Sequence, residues 1–195
     1  MTFQTDLEAI RERARSHMLD GPVTQDYRAN RDQVIDVLND VVATEIVCVL
    51  RYKRHQFTAA GLFAQPVAEE FRQHAAEEQA HMEMAAQRIV QLGGEPDLDP
   101  SGLPERSHTQ YVPGTTLVDM IKEDLVAERI VIQTYLEMIR WIGDTDPTTR
   151  RVLEQILEQE EEHADELRDL LTQLDPNLPG VLVIDDSKDP SETSS

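Results

Sequence analysis

The sequence predicts an all-α fold: a four-helix bundle of two antiparallel helical hairpins joined by a long crossover, with a short N-terminal helix and a coil C-terminal tail. Four segments of about 28 residues carry apolar side chains at spacings of three and four, the period of a helix with one buried face. Two links between these segments are short and one is long. Charged residues make up 29% of the chain and aromatics 5%, a balance that suits helix packing better than sheets.

Punctuation sets the elements. A short helix from about Asp6 to Met18 stops at Asp20-Gly21-Pro22. The first long helix runs from about Arg31 to Ala60, with the stripe Leu38, Val41, Val42, Ile46, Val49 and Tyr52. The second begins at Pro66, a good first-turn residue, and ends at Gly93-Gly94. Its stripe is Val67, Phe71, Ala75, Met82, Ala85, Ile89 and Leu92. The third begins after Thr115 and Thr116, ends at Gly143, and carries Leu117, Ile121, Leu125, Ile132, Tyr135 and Ile139. The fourth opens at Asp146-Pro147, a cap followed by proline at the first helical position, and stops before Asp175-Pro176. Leu153, Ile156, Leu167, Leu171 and Leu174 form its stripe.

Links of about five residues or fewer join the first helix to the second and the third to the fourth, so each pair is an antiparallel hairpin. The link from Gly94 to Gly114 is about 21 residues and reaches ~70 Å when extended, enough to run along a ~42 Å helix. Residues 1–30 are thus an N-terminal helical extension, 31–174 the bundle and 175–195 the tail.

With 18 basic and 38 acidic side chains the net charge is −20, which repels nucleic acid and anionic membranes and attracts cations. A single cysteine, Cys48, excludes an intrachain disulfide and a four-cysteine metal site. No apolar run approaches the ~20 residues that span a bilayer. The start MTFQTDLEAI lacks the basic-then-apolar pattern of a secretory signal, so a cytoplasmic location is expected.

Acids and imidazoles interrupt the stripes in four places. Glu45 lies four residues from both Val41 and Val49, and Glu128 lies between Leu125 and Ile132. Glu78 sits between Ala75 and Met82 with His81 one turn on, and Glu160 between Ile156 and Leu167 with His163 one turn on. Four buried carboxylates are prohibitive without compensation, and two divalent cations supply the four positive charges that balance them. Glu-x-x-His places a carboxylate and an imidazole side by side on one helix face, where both reach one ion. Six histidines give roughly 0.6 such pairs by chance, so a single pair carries little weight. The stronger signal is spacing: 33 residues separate Glu45 from Glu78 and 32 separate Glu128 from Glu160. Each lone glutamate also has a tyrosine seven residues on, Tyr52 and Tyr135, so the chain reads as two related hairpins each donating half of a site.

This constellation is recognised as that of ferritin-like di-iron and di-manganese carboxylate proteins. Two imidazoles, four carboxylates and no thiolate suit iron or manganese over zinc or copper. From about Arg31 to Leu174 the chain resembles bacterioferritin. The segment EIVCVLRYKRH is similar to its first helix, carrying Glu45, Tyr52 and His55; EEQAH matches Glu78 and His81, EDLVAE matches Glu128, and ILEQEEEHAD matches Glu160 and His163. The resemblance implies ferroxidase chemistry, with two irons per subunit and Fe(II) oxidised by O2 or H2O2. It also implies that Glu78 and Glu160 bridge the two metals and that Glu45 and Glu128 are terminal. Haem is not expected, because the family's axial methionine directly follows the first motif's glutamate and here that residue is Gln79. The tail does not look like the fifth helix of 24-subunit shells, which favours a homo-oligomer of twelve subunits as in Dps-like (starvation-protection) ferritins.

Several residues have plainer readings. Cys48 is taken as a buried, inert thiol. His74 lies at helical spacing from Glu70 and Glu78 and is taken as a supporting or surface residue. His17 and His108 show no partner. Arg11, Arg13, Arg15, Arg28 and Arg31 make the N-terminal segment locally basic, but interspersed acids and the net charge speak against DNA as a partner. The competing functional reading is a discrete di-iron or di-manganese redox enzyme, catalase- or peroxidase-like, without mineral storage.

Overall fold

Capping and chain reach place the helices of the structure, a computed structural model that describes residues 4–174. Among the described residues six α-helices follow in order: α1 Leu7–Ser16, α2 Arg31–Thr58, α3 Ala64–Gln91, α4 Leu103–Arg106, α5 Leu117–Ile142 and α6 Pro147–Leu174. A 3-10 turn, Pro100–Gly102, leads into α4. Among the described residues there is no strand. The expected coil tail, 175–195, lies outside the described residues.

Local chemistry accounts for most boundaries. Asn30 caps α2 by accepting from the Gln33 amide. Thr116 and Asp119 form a reciprocal capping box on α5. The Asp146 carboxylate accepts from the Thr148 and Thr149 amides at the start of α6. α3 starts two residues earlier than Pro66 suggests, with Pro66 in its first turn, where amides have no intrahelical partner for the proline to lose. Gly114 turns the chain into α5 with φ +59°, and a Cβ there would lie 2.8 Å from the Met120 nitrogen, so only glycine fits.

The four long helices form the expected bundle, α2 packing mainly on α3 and α5 on α6. The crossover carries α4 within it and climbs along α2. Asp97 donates to Asn39, the His108 amide to Thr44, Arg51 to the Gln110 carbonyl, and His55 meets the Pro113 carbonyl. This path delivers α5 antiparallel to α2.

Two apolar clusters fill the bundle and leave a polar layer between them. One holds Val34, Leu38, Val41, Ile89, Val131, Leu153 and Ile156 among others; the second holds Val67, Phe71, Met120, Ile121, Leu167 and Leu171. Each fully buried aliphatic side chain contributes roughly 2 kcal/mol, which offsets the cost of that layer. On α5 the buried face is Met120, Ile121, Asp124, Ala127, Glu128, Val131 and Tyr135, whereas Leu125 and Ile132 lie at its edge against α6. α1 buries no residue. The extension is tied to the bundle through Tyr27, whose phenol donates to Asp146, itself paired with buried Arg88.

Candidate metal centre

The polar layer is built by four helices. Glu45 comes from α2, Glu78 and His81 from α3, Glu128 from α5, and Glu160 and His163 from α6. All six sequence-predicted residues meet here, each at most 2% exposed. His81 Nδ1 lies 2.9 Å from Glu160 and 3.3 Å from Glu78, while His163 Nδ1 lies 3.4 Å from Glu160 and 3.5 Å from Glu78.

Two overlapping donor sets result. Glu45, Glu78, His81 and Glu160 form one, and Glu78, Glu128, Glu160 and His163 the other, with the donor atoms of each within 4.8 Å of one another. Glu78 and Glu160 belong to both. Among the described residues, six buried atoms here lack a hydrogen-bond partner: Glu45 Oε2, Glu78 Oε1, Glu128 Oε2, both Glu160 oxygens and His163 Nδ1. Buried polar atoms are rarely left so, and here all six belong to the two donor sets, as residues arranged to hold cations would be.

The tyrosines complete the layer. Tyr52 on α2 donates to Glu128 Oε1 on α5, and Tyr135 on α5 donates to Glu45 Oε1 on α2. Burial, then the neighbouring carboxyls, pushes both phenols well above their usual range, so they remain donors. The outer nitrogens of the two histidines are held in the same reciprocal way. His81 Nε2 meets Gln159 at 2.9 Å and His163 Nε2 meets Glu77 at 2.8 Å.

Protonation of the layer follows from burial and contact. Burial, then repulsion from Glu160 and Glu78, raises the Glu45 carboxyl well above the usual range, and burial with the same neighbours raises Glu128. Burial alone would raise Glu78 and Glu160 too, but the imidazoles of His163 and His81 outweigh it and hold both below the usual range. Against their own burial, contacts with Glu160 and Glu78 push His81 up to about 10 and His163 up to about 12.

Several residues play parts that the sequence did not reveal. Glu77 and Gln159 each sit directly before a motif glutamate, and that position is their one signal. His74 is fully buried, touching Tyr52 and Glu166 and stacking on His163. Burial, then the nearby His163, pushes it down to about 4, so its contact with Glu166 is not an ion pair. Asp124 is buried between Arg51 at 2.8 Å and His55 at 2.7 Å, and this cluster locks α2 to α5. Cys48 is buried, with its thiol pushed well up by burial, and touches Thr109 and Arg51. His17 meets Asp20 and His108 meets Thr44, outside the centre. Gln79 is exposed and donates to Glu83.

Two hairpins, one long crossover and a carboxylate–imidazole layer at mid-bundle define a ferritin-type helical bundle. The chain belongs to the ferritin-like family, whose ferritin-like domain matches residues 35–176. It is 27% identical over 132 residues to a bacterioferritin of Desulfovibrio desulfuricans, covering 67% of this chain and 70% of that one. It is 27% identical over 144 residues to a DNA protection during starvation protein of Pyrococcus furiosus, covering 72% and 78%. Among solved structures, the bacterioferritin-related protein from Bacteroides fragilis, described as a dodecameric thioferritin, superposes with a TM-score of 0.73 at 30% identity, covering 76% of this chain and 90% of that one. No described helix is long and apolar enough to cross a membrane.

Proposed function

We propose that this chain is the subunit of an iron-storage and detoxification cage, with ferroxidase activity at a dinuclear site inside each subunit. The observation that carries the reading is the sharing of Glu78 and Glu160 between two donor sets. In this reading Glu45 and His81 complete the set for one Fe(II), Glu128 and His163 complete the set for the other, and Glu78 and Glu160 bridge. Two divalent ions balance four carboxylates, and displacement of protons from His81 and His163 frees their Nδ1 lone pairs. Two Fe(II) give up one electron each, so one O2 takes two electrons and two protons to become H2O2. Where peroxide is the oxidant, one H2O2 takes the same electrons and protons to become two waters.

Storage requires an enclosed space, since a lone bundle cannot sequester insoluble ferric product. The net charge of −20 suits a shell that draws cations inward. The dodecameric relative supports twelve subunits, a particle of about 270 kDa for chains of 22.2 kDa.

The test is Fe(II) oxidation by the native particle, followed with its mass and metal content. Oxidation is expected to collapse in Glu78→Ala and His81→Ala. Unchanged rates in both variants would sink the assignment. A monomer or dimer that still oxidises iron would leave the discrete redox enzyme as the better reading.

A further inference from the structure

His74 lies one turn before Glu78 and belongs to neither donor set of the dinuclear centre. Its Nδ1 is 3.3 Å from the Tyr52 oxygen. The phenol has one proton and gives it to Glu128, so its oxygen accepts from His74 and Nδ1 carries the ring proton. With Nδ1 turned to Tyr52, Nε2 is the ring nitrogen left to face a ligand. It is fully buried and faces two carboxylates, Glu166 Oε2 at 2.9 Å and Glu70 Oε1 at 3.5 Å. A fully buried imidazole nitrogen and two carboxylates, drawn together from α3 and α6, form a donor group of the kind that holds a divalent cation.

We propose that Glu70, His74 and Glu166 form a third divalent-cation site, at the solvent-facing mouth beside the dinuclear centre. One donor atom from each falls within a sphere of mutual distances no larger than 4.8 Å. The Glu70 and Glu166 side chains are 29% and 39% exposed, so an ion here is held from the inside by the imidazole and completed from the outside by water. One imidazole and two carboxylates with open positions suit Fe(II) or Mn(II), the same class of ion as the dinuclear centre. Glu77, which accepts from His163 and also falls in a donor group with His74 and His163, lies between the two sites. The assignment rests on the dinuclear reading for the identity of the ion but not for the existence of the site.

Anaerobic equilibrium dialysis of the native particle against Fe(II) separates the two. The variant E70Q/E166Q keeps the shape of both side chains and is expected to lose one ion per chain relative to wild type, with helical content retained. The single variant E166Q is the check should the double variant fold poorly, and it should weaken the same ion at least tenfold. Glu78→Ala, in parallel, is expected to lose two. An unchanged count in both E70Q/E166Q and E166Q, as expected if Nε2 is simply protonated, overturns the third site whatever Glu78→Ala does. Loss of one ion in E70Q/E166Q with none lost in Glu78→Ala keeps the third site and removes the dinuclear one.

Discussion

Tyr135 reaches across the bundle from α5 to donate its phenolic proton to Glu45 on α2, and Tyr52 returns the contact from α2 to Glu128 on α5. Each hairpin therefore aims a buried carboxylate of the other. Neither glutamate can swing away without stranding a buried hydroxyl.

That crossing makes Tyr135→Phe informative. The substitution keeps the ring and removes only the donor to Glu45. Metal affinity or oxidation rate is expected to fall about tenfold, within the range for groups that orient metal ligands. Tyr52→Phe should cost at least as much, because the same hydroxyl also meets His74. Wild-type affinity and rate in both variants would show that the phenols are packing alone.

Metal loading should release protons. His81 and His163 are raised to about 10 and about 12, so at neutral pH both imidazoles of the metal-free layer hold protons that they must give up to bind metal, and the raised carboxyls of Glu45 and Glu128 shift the balance the same way. Protons and metal compete, so apparent affinity rises with pH and falls as the solution is acidified. Proton release on adding metal to a weakly buffered sample measures the number directly. A release near zero would contradict the displacement scheme.

Metal should also protect the fold. An ion that binds only the native state at about 1,000 times its Kd adds about 4 kcal/mol, or about 10 °C in Tm for a domain of this size. Thermal unfolding with and without chelator tests this. Glu78→Ala should erase most of the difference.

Asp124→Ala is expected to be severe for a reason unrelated to metal. It leaves Arg51 buried without its carboxylate partner and removes the acceptor facing His55, and breaking a buried pair in this way costs about 3–5 kcal/mol. Because Arg51 and His55 also hold the Gln110 and Pro113 carbonyls, the crossover should loosen with it. Chemical denaturation and faster proteolysis near residues 110–113 are the readouts.

The purified protein is expected to show no Soret band, since Gln79 occupies the position of the family's axial methionine and offers no sulfur ligand. Stoichiometric haem absorbance would mean that Met82 or Met84 has taken the role.

Helical period explains why so much of the centre could be read in advance. Glu78 with His81 and Glu160 with His163 are local relations, set by residues three apart on one helix. The long crossover and the short hairpin links fixed topology through chain reach alone. Contacts between helices were another matter. Tyr135 meets Glu45 across 90 positions and Asp124 meets Arg51 across 73, and nothing local reports which helix lies opposite. Asp124 was hidden further by its neighbour Leu125, whose place in an apolar series drew the buried face one residue off. α4 escaped notice because Pro104 and the nearby glycines read as loop, although Leu103 packs onto Ala43 and Val47. His74 reads from the sequence as a supporting or surface residue because the carboxylate facing it, Glu166, is supplied by α6, 92 residues away.

The outer partners of the two histidines differ in charge, and the two donor sets are thereby inequivalent. His163 leans on the carboxylate of Glu77, whereas His81 leans on the neutral amide of Gln159. A carboxylate behind an imidazole makes it the more electron-rich donor, so the Glu128–His163 set is expected to bind a cation the more tightly of the two. Under the proposed function, filling would then be sequential, the first ion entering beside an open set still arranged for the second. Two-electron oxidation would then wait for that second arrival, so at scarce iron the initial rate is expected to climb more steeply than linearly with concentration.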